Sequence, residues 1–123
     1  MAKIFVVDDD VDIGIVVKYW LTSRGHAVES FDSDATLMDR TVESHPDIIF
    51  LDVNLGGKDG RDICKQIKDV VPQVVIILFS ANPSVLSNFN ECTADDAFGK
   101  PFSFSLLQEK IDKFMPGLYQ KPC

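Results

Sequence analysis

The sequence runs to 123 residues, enough for one hydrophobic core and too few for two, and its 46% apolar and 25% charged content excludes a disordered chain. A net charge of −7, with lysine and arginine scattered rather than striped, argues against nucleic acid or an anionic membrane as a direct partner. No apolar run approaches the ~20 residues of a membrane span, and the one after Met1-Ala2-Lys3 stops at Asp8, too early for a secretory signal.

The first predicted strand, Ile4-Phe5-Val6-Val7, ends in Asp8-Asp9-Asp10. Ile13, Val16, Val17, Trp20 and Leu21 then recur at helical spacing, with Asp10 or Asp12 as cap and Gly25 as terminator. Ala27-Val28-Glu29-Ser30-Phe31 alternates as a second strand. Asp32 to Asp34 can cap a second helix carrying Leu37, Met38, Thr41 and Val42, which stops at His45-Pro46 because a residue before proline avoids the helical region. The third strand, 47–51, is an unalternating apolar run that ends in Asp52, the mark of a strand buried on both faces. Gly56-Gly57 and Asp59-Gly60 follow as loop signals. A third helix from about Gly60 places Ile63, Ile67 and Val70 or Val71 on one side, and Pro72 ends it.

A fourth strand, 74–79, closes with Ser80-Ala81-Asn82-Pro83. Residues 84–95 read as a short helix with Val85, Leu86 and Phe89 inward, and 96–98 as a brief fifth strand before Gly99-Lys100-Pro101-Phe102. The last helix, about 103–115, turns Leu106, Leu107, Ile111 and Phe114 inward, with Ser103 or Ser105 as cap. Cys64, Cys92 and Cys123 are odd in number and in no metal-ligand pattern, so they read as reduced thiols, two of them small buried apolar residues and one in the tail. A single cytoplasmic domain over 1–123 is expected, with 116–123 as a tail or the start of a linker at Pro116-Gly117.

Alternating strands and helices imply right-handed crossovers and an α/β fold, a doubly wound five-stranded parallel sheet of order 2-1-3-4-5 with helices on both faces. In that flavodoxin-like order the ligand crevice lies at the carboxyl ends of strands 1 and 3, which carry Asp8, Asp9 and Asp52. Three clustered carboxylates repel one another, and a hard divalent cation, Mg²⁺ or Mn²⁺, relieves the conflict while leaving ligand positions for phosphate oxygens. Ser80 and Lys100 end two further strands with a hydroxyl and an ammonium, the groups a phosphoryl needs around its charge. Asp52, on the central strand, is the best placed nucleophile for an aspartyl phosphate. Taken singly, Ser80 reads as a turn residue, Lys100 as a solvated charge and Asp8 to Asp10 as a capping cluster; it is their joint placement at strand ends that points to a site.

Val6-Val7-Asp8-Asp9-Asp10, Leu51-Asp52, Asp59-Gly60, Ser80-Ala81 and Lys100-Pro101-Phe102 together resemble the receiver domain of two-component response regulators. The resemblance implies that Asp52 accepts a phosphoryl group from a histidine kinase or histidine phosphotransfer protein, and that the chain is a phosphoacceptor rather than an enzyme with a separate substrate. It implies Asp9 as a direct Mg²⁺ ligand, Asp8 as one acting mainly through water, the Asn54 backbone carbonyl as another, and Ser80 and Lys100 in contact with the phosphoryl oxygens. Its output would be binding to a partner of unknown identity or onward phosphotransfer, without membrane insertion or direct nucleic-acid contact. The chain departs from the family pattern in several places. Gly56 stands where the family often has proline, Ser80 replaces threonine, and Ala97 occupies the usual switch-aromatic position with Phe98 beside it. The span from Ser80 to Lys100 is short, which predicts a reduced fourth helix. Two alternatives remain from the residues themselves: a small-molecule Mg²⁺-dependent phosphatase using the same intermediate, for which no cap insertion is visible, and a receiver-like binding module that is never phosphorylated.

Overall fold

The computed structural model describes residues 2–82, 84 and 86–115. Its strands are β1 (Lys3–Val7), β2 (Ala27–Phe31), β3 (Ile48–Asp52), β4 (Asn54–Leu55), β5 (Lys58–Asp59), β6 (Val75–Ser80) and β7 (Asp96–Gly99). The helices are α1 (Val11–Ser23), α2 (Leu37–Ser44), α3 (Gly60–Val70) and α4 (Phe104–Phe114). Five strands form one parallel sheet in the order β2-β1-β3-β6-β7, while β4 and β5 make a separate two-residue antiparallel ladder. With that ladder set aside, the order is the 2-1-3-4-5 expected of a flavodoxin-like fold. The third strand runs one residue later than its apolar run suggested, taking Asp52 into the sheet opposite Phe79.

Side chains alternate across the sheet into two cores. Phe5, Val7, Ile49, Leu51, Ile76 and Leu78 meet Leu37 of α2 and Ile63, Cys64 and Ile67 of α3 on one face. Ile4, Val6, Ile48, Phe50, Ile77, Phe79 and Phe98 meet Val17 and Leu21 of α1 and Leu107 and Ile111 of α4 on the other. Every residue of β3 is buried, as its unalternating sequence requires.

The ends of the helices follow local chemistry closely. Asp10 caps α1 by accepting from Asp12 N and Ile13 N, and Gly25, at φ 94°, ends it. There Gly25 N bonds Thr22 O and His26 N bonds Leu21 O, the paired bonds of a Schellman terminus. Asp59 caps α3, and Ser103, not Ser105, caps α4. The expectation for α2 needs correction: Thr36 is its N-cap without a side-chain bond, because residues 32–36 are spent on bends and turns that delay the helix to Leu37. Val16 and Val42 stand exposed and Val71, not Val70, is buried, since a helix seated on a twisted sheet covers only part of its apolar stripe. The segment before β7 holds a 3₁₀ helix, Phe89–Cys92, with Leu86 and Phe89 partly buried against the α3 face. Cys64 and Cys92 are buried free thiols. Val85, Cys123 and the predicted tail at 116–123 lie outside the described residues, and no described helix is long and apolar enough to cross a membrane.

Candidate functional site

All five strands of the sheet run parallel, so their carboxyl ends share one edge. There Asp8 follows β1, Asp52 ends β3, Ser80 ends β6 and Lys100 follows β7, and all four line one cleft of about 440 Å³ with Asp9, Asp10, Asn54 and Asn82. Asp8 and Asp52 are 1% and 4% exposed, whereas Asp9 is exposed. One carboxylate oxygen each from Asp8, Asp9 and Asp52 lie within 4.8 Å of one another. Each residue singled out from the sequence is therefore in the cleft, Asn54 included.

Lys100 organises the buried part. Its Nζ donates to Asp8 Oδ2 at 2.9 Å and to Asp52 Oδ2 at 3.0 Å, and sits 4.9 Å from the centre of the Phe79 ring. Its own backbone N–H bonds Ser80 O at 2.9 Å, tying the lysine to the end of the neighbouring strand. The remaining oxygens take backbone donors: Asp10 N bonds Asp8 Oδ1 at 2.9 Å and Asn54 N bonds Asp52 Oδ1 at 3.1 Å. Ser80 Oγ accepts from Asn82 N at 3.1 Å, so the hydroxyl keeps its proton to donate.

The charges do not balance. Against the close cluster of Asp8, Asp9 and Asp52 stands one ammonium, leaving that cluster a surplus of two negative charges. Burial pushes the Asp8 carboxyl up to about 6, aided by the charge of Asp52, and the bonds from Lys100 and Asp10 N reverse this only in part. Burial also opposes the charge of Lys100, but its bonds to Asp8 and Asp52 outweigh that and raise its pKa. Both directions follow from one cation shared between two buried anions: the lysine gains, and one carboxylate goes short. An all-oxygen donor set with a surplus of two charges, and no His or Cys among the described lining residues, fits a hard divalent cation such as Mg²⁺.

Two supports escaped the sequence reading. Gly60 is the first residue of α3, and a Cβ there would be driven into the carbonyl oxygen of Asp52. Gly60 N bonds Val53 O at 2.6 Å across that close approach, so only glycine lets α3 start against the end of β3. Asp59-Gly60 signals a turn in sequence, but nothing local foretells the approach. The second is Gly56 N, which donates to Asp9 Oδ2 at 3.1 Å. Ala97 and Phe98 separate as strand alternation requires. Phe98 is 7% exposed, stacked on Phe79 at 5.6 Å and edge-on to Phe50 and Phe102, while Ala97 packs against the opposite core.

Residues 4–112 match the family model described as response regulator receiver domain. Among solved structures, the BeF3-activated DrrB receiver domain is similar at 30% identity and a TM-score of 0.83, with 94% of this chain and 98% of that chain covered. The receiver domain of NtrX from Brucella abortus is similar at 26% identity and a TM-score of 0.85, with 94% and 99% covered. A two-component response regulator from Clostridium difficile, at 22% identity and a TM-score of 0.87, covers 98% of this chain and 100% of its own, and shares the fold. None of these similarities supports the small-molecule phosphatase alternative.

Proposed function

Because this chain belongs to the response regulator receiver family, and so is a receiver domain of two-component signalling, we propose that Asp52 is its phosphoacceptor. The observation that carries this is the position of Asp52: buried at the end of the central strand, in one cleft with Asp8, Asp9, Ser80 and Lys100. Receiver domains are phosphoacceptors rather than conventional enzymes, and they bind Mg²⁺ in an acidic pocket of this kind.

In this reading Asp9, Asp52 and the Asn54 carbonyl, with Asp8 mainly through water, would hold Mg²⁺, and the ion would supply positive charge to a phosphoryl group. A carboxylate oxygen of Asp52 attacks the phosphorus of a phosphohistidine on a kinase or phosphotransfer protein. The P–O bond forms as the P–N bond breaks, and the leaving imidazole regains a proton. Lys100, bonded to Asp52 Oδ2 beforehand, exchanges that carboxylate for a phosphoryl oxygen, and Ser80 donates its free proton to another. The donor protein has apolar surface to meet: a cleft of about 500 Å³ lined by Ile13, Val16, Pro101, Phe102 and Phe104 adjoins Lys100, and Val11, Ile15 and Tyr19 stand exposed on α1. The domain then acts in the cytoplasm by binding an output protein or passing the phosphoryl group on.

Incubation with acetyl phosphate and Mg²⁺, followed by intact mass measurement, tests the assignment. A slowly decaying single-phosphate adduct that maps to Asp52 is expected. Turnover without an adduct would restore the phosphatase, and no reaction at all would leave only a binding module.

A further inference from the structure

The two-residue ladder of β4 and β5 is attached to both ends of the acidic cluster. Asn54 pairs with Asp59 and Leu55 with Lys58, and Gly56 and Gly57 close the turn at φ 59° and 87°. Two successive positive φ values are what a tight type I′ hairpin demands, and glycine supplies both without strain. The hairpin is not a loose flap. Leu55 is 2% exposed and rooted in the core, Asn54 N bonds Asp52 Oδ1, and Gly60 N bonds Val53 O. Its feet thus stand on the strand that ends in Asp52, and its tip reaches the end of β1.

At that tip Gly56 N donates to Asp9 Oδ2 at 3.1 Å. Among the described residues, this is the only hydrogen bond recorded to the Asp9 side chain. Asp9 is exposed, so without it the carboxylate would be free to sample its rotamers. Proline at this position would have no N–H to give.

We propose that Gly56 is a positioning residue for the metal site: the rigid hairpin uses its N–H to hold one oxygen of Asp9, leaving the other for the cation. The inference rests on the reading of Asp9 as a metal ligand. Fixing the carboxylate beforehand lowers the ordering cost of binding, and a donor to the second oxygen of a ligating carboxylate acts as the outer partner that such ligands need. By linkage, a cation on Asp9 should in turn tighten the hairpin.

The test is a Mg²⁺ titration without any phosphoryl donor, followed by amide NMR and by thermal melts. Two variants remove the N–H: Gly56→Pro, which also disrupts the turn, and an amide-to-ester replacement at Gly56, which keeps the turn residues and otherwise only weakens the Leu55 carbonyl as an acceptor. Gly56→Asn keeps the N–H and tolerates the left-handed region. The expected result is roughly tenfold weaker Mg²⁺ binding for the proline and ester forms and a change under about twofold for Gly56→Asn, in line with the usual loss on removing an outer partner. In the wild type, Mg²⁺ should also slow exchange of the Gly56 amide. Wild-type Mg²⁺ affinity in the ester form would overturn the inference while leaving the metal site intact. No Mg²⁺ binding by the wild type would overturn the metal site itself, and this inference with it.

Discussion

Asp8 and Asp96 are both buried carboxylates bonded to lysine, at opposite edges of the same sheet, and their environments push them in opposite directions. Burial opposes the charge of each. Asp96, at the start of β7, has Lys110 Nζ at 2.7 Å, Lys113 Nζ at 3.1 Å and Ala97 N at 2.8 Å, and these donors hold its pKa below the ordinary value despite burial. Asp8 has one lysine, shared with Asp52, and is pushed up to about 6. The first is a completed brace that ties α4 to β7. The second is left short of positive charge, and that shortage is what an incoming cation would relieve. A buried ion pair is thus structural or functional according to whether its charges are met within the fold.

Breaking the functional side has the largest expected effect. Asp52→Ala should abolish the phosphate adduct in the intact-mass experiment, yet raise the melting temperature of the metal-free protein by relieving repulsion with Asp8. Mg²⁺ should then raise the melting temperature of the variant less than that of the wild type; equal shifts in both would remove Asp52 from the metal site. Breaking the brace should do the reverse. Asp96→Ala strands two lysines and an amide and should cost about 3 kcal/mol in urea unfolding, with phosphorylation of the remaining folded protein unchanged.

Changing the pH sharpens the contrast without any mutation. The folded pKa of Asp8 is raised from 3.8 to about 6, so the native state binds more protons than the unfolded chain between those values. Stability from Asp8 is full below the ordinary value and is lost as pH rises through about 6, a change of about 3 kcal/mol. Asp96 has the opposite sign: its contribution is present above the ordinary carboxylate range and is lost as pH falls through its depressed folded value. Metal-free urea unfolding should therefore weaken from pH 4 to 7 in the wild type, with that decline lost in Asp8→Asn, where buried His26, its pKa lowered, leaves a contribution of the opposite sign, and reduced by Mg²⁺. A slope unaltered in Asp8→Asn would refute this assignment.

The smallest expected effect concerns signal relay. Phe98 is already buried among Phe50, Phe79 and Phe102, so it has no journey from solvent to make, and Ala97 has no ring to move. Hydrogen exchange with and without beryllofluoride should change across residues 81–95, whose described part is held by turns and 3₁₀ structure, and little at Ala97 and Phe98. A dominant change at Phe98 would make it the switch after all. Lys100→Ala should still accept the phosphoryl group but lose most of the exchange response, since its ammonium carries the link between β7 and Asp52.

The sequence by itself determined the alternating α/β fold, the strand order and the acidic cleft. Strands buried on both faces must be unbroken apolar runs, and in a parallel sheet the residues that end those runs have to share one edge. Asp8, Asp52, Ser80 and Lys100 are legible for that reason. Only the tertiary structure decided what depends on the seating of elements against one another: that Val16 and Val42 face solvent, that Thr36 rather than Asp32 to Asp34 stands at the N-cap of α2, and that 84–95 contains a 3₁₀ helix. It also decided that one lysine spans two carboxylates, that Gly60 must lack a side chain, and that Gly56 reaches Asp9. The last two are close approaches of backbone that exist only once the hairpin and α3 are seated against β1 and β3, so no local side-chain pattern could announce them.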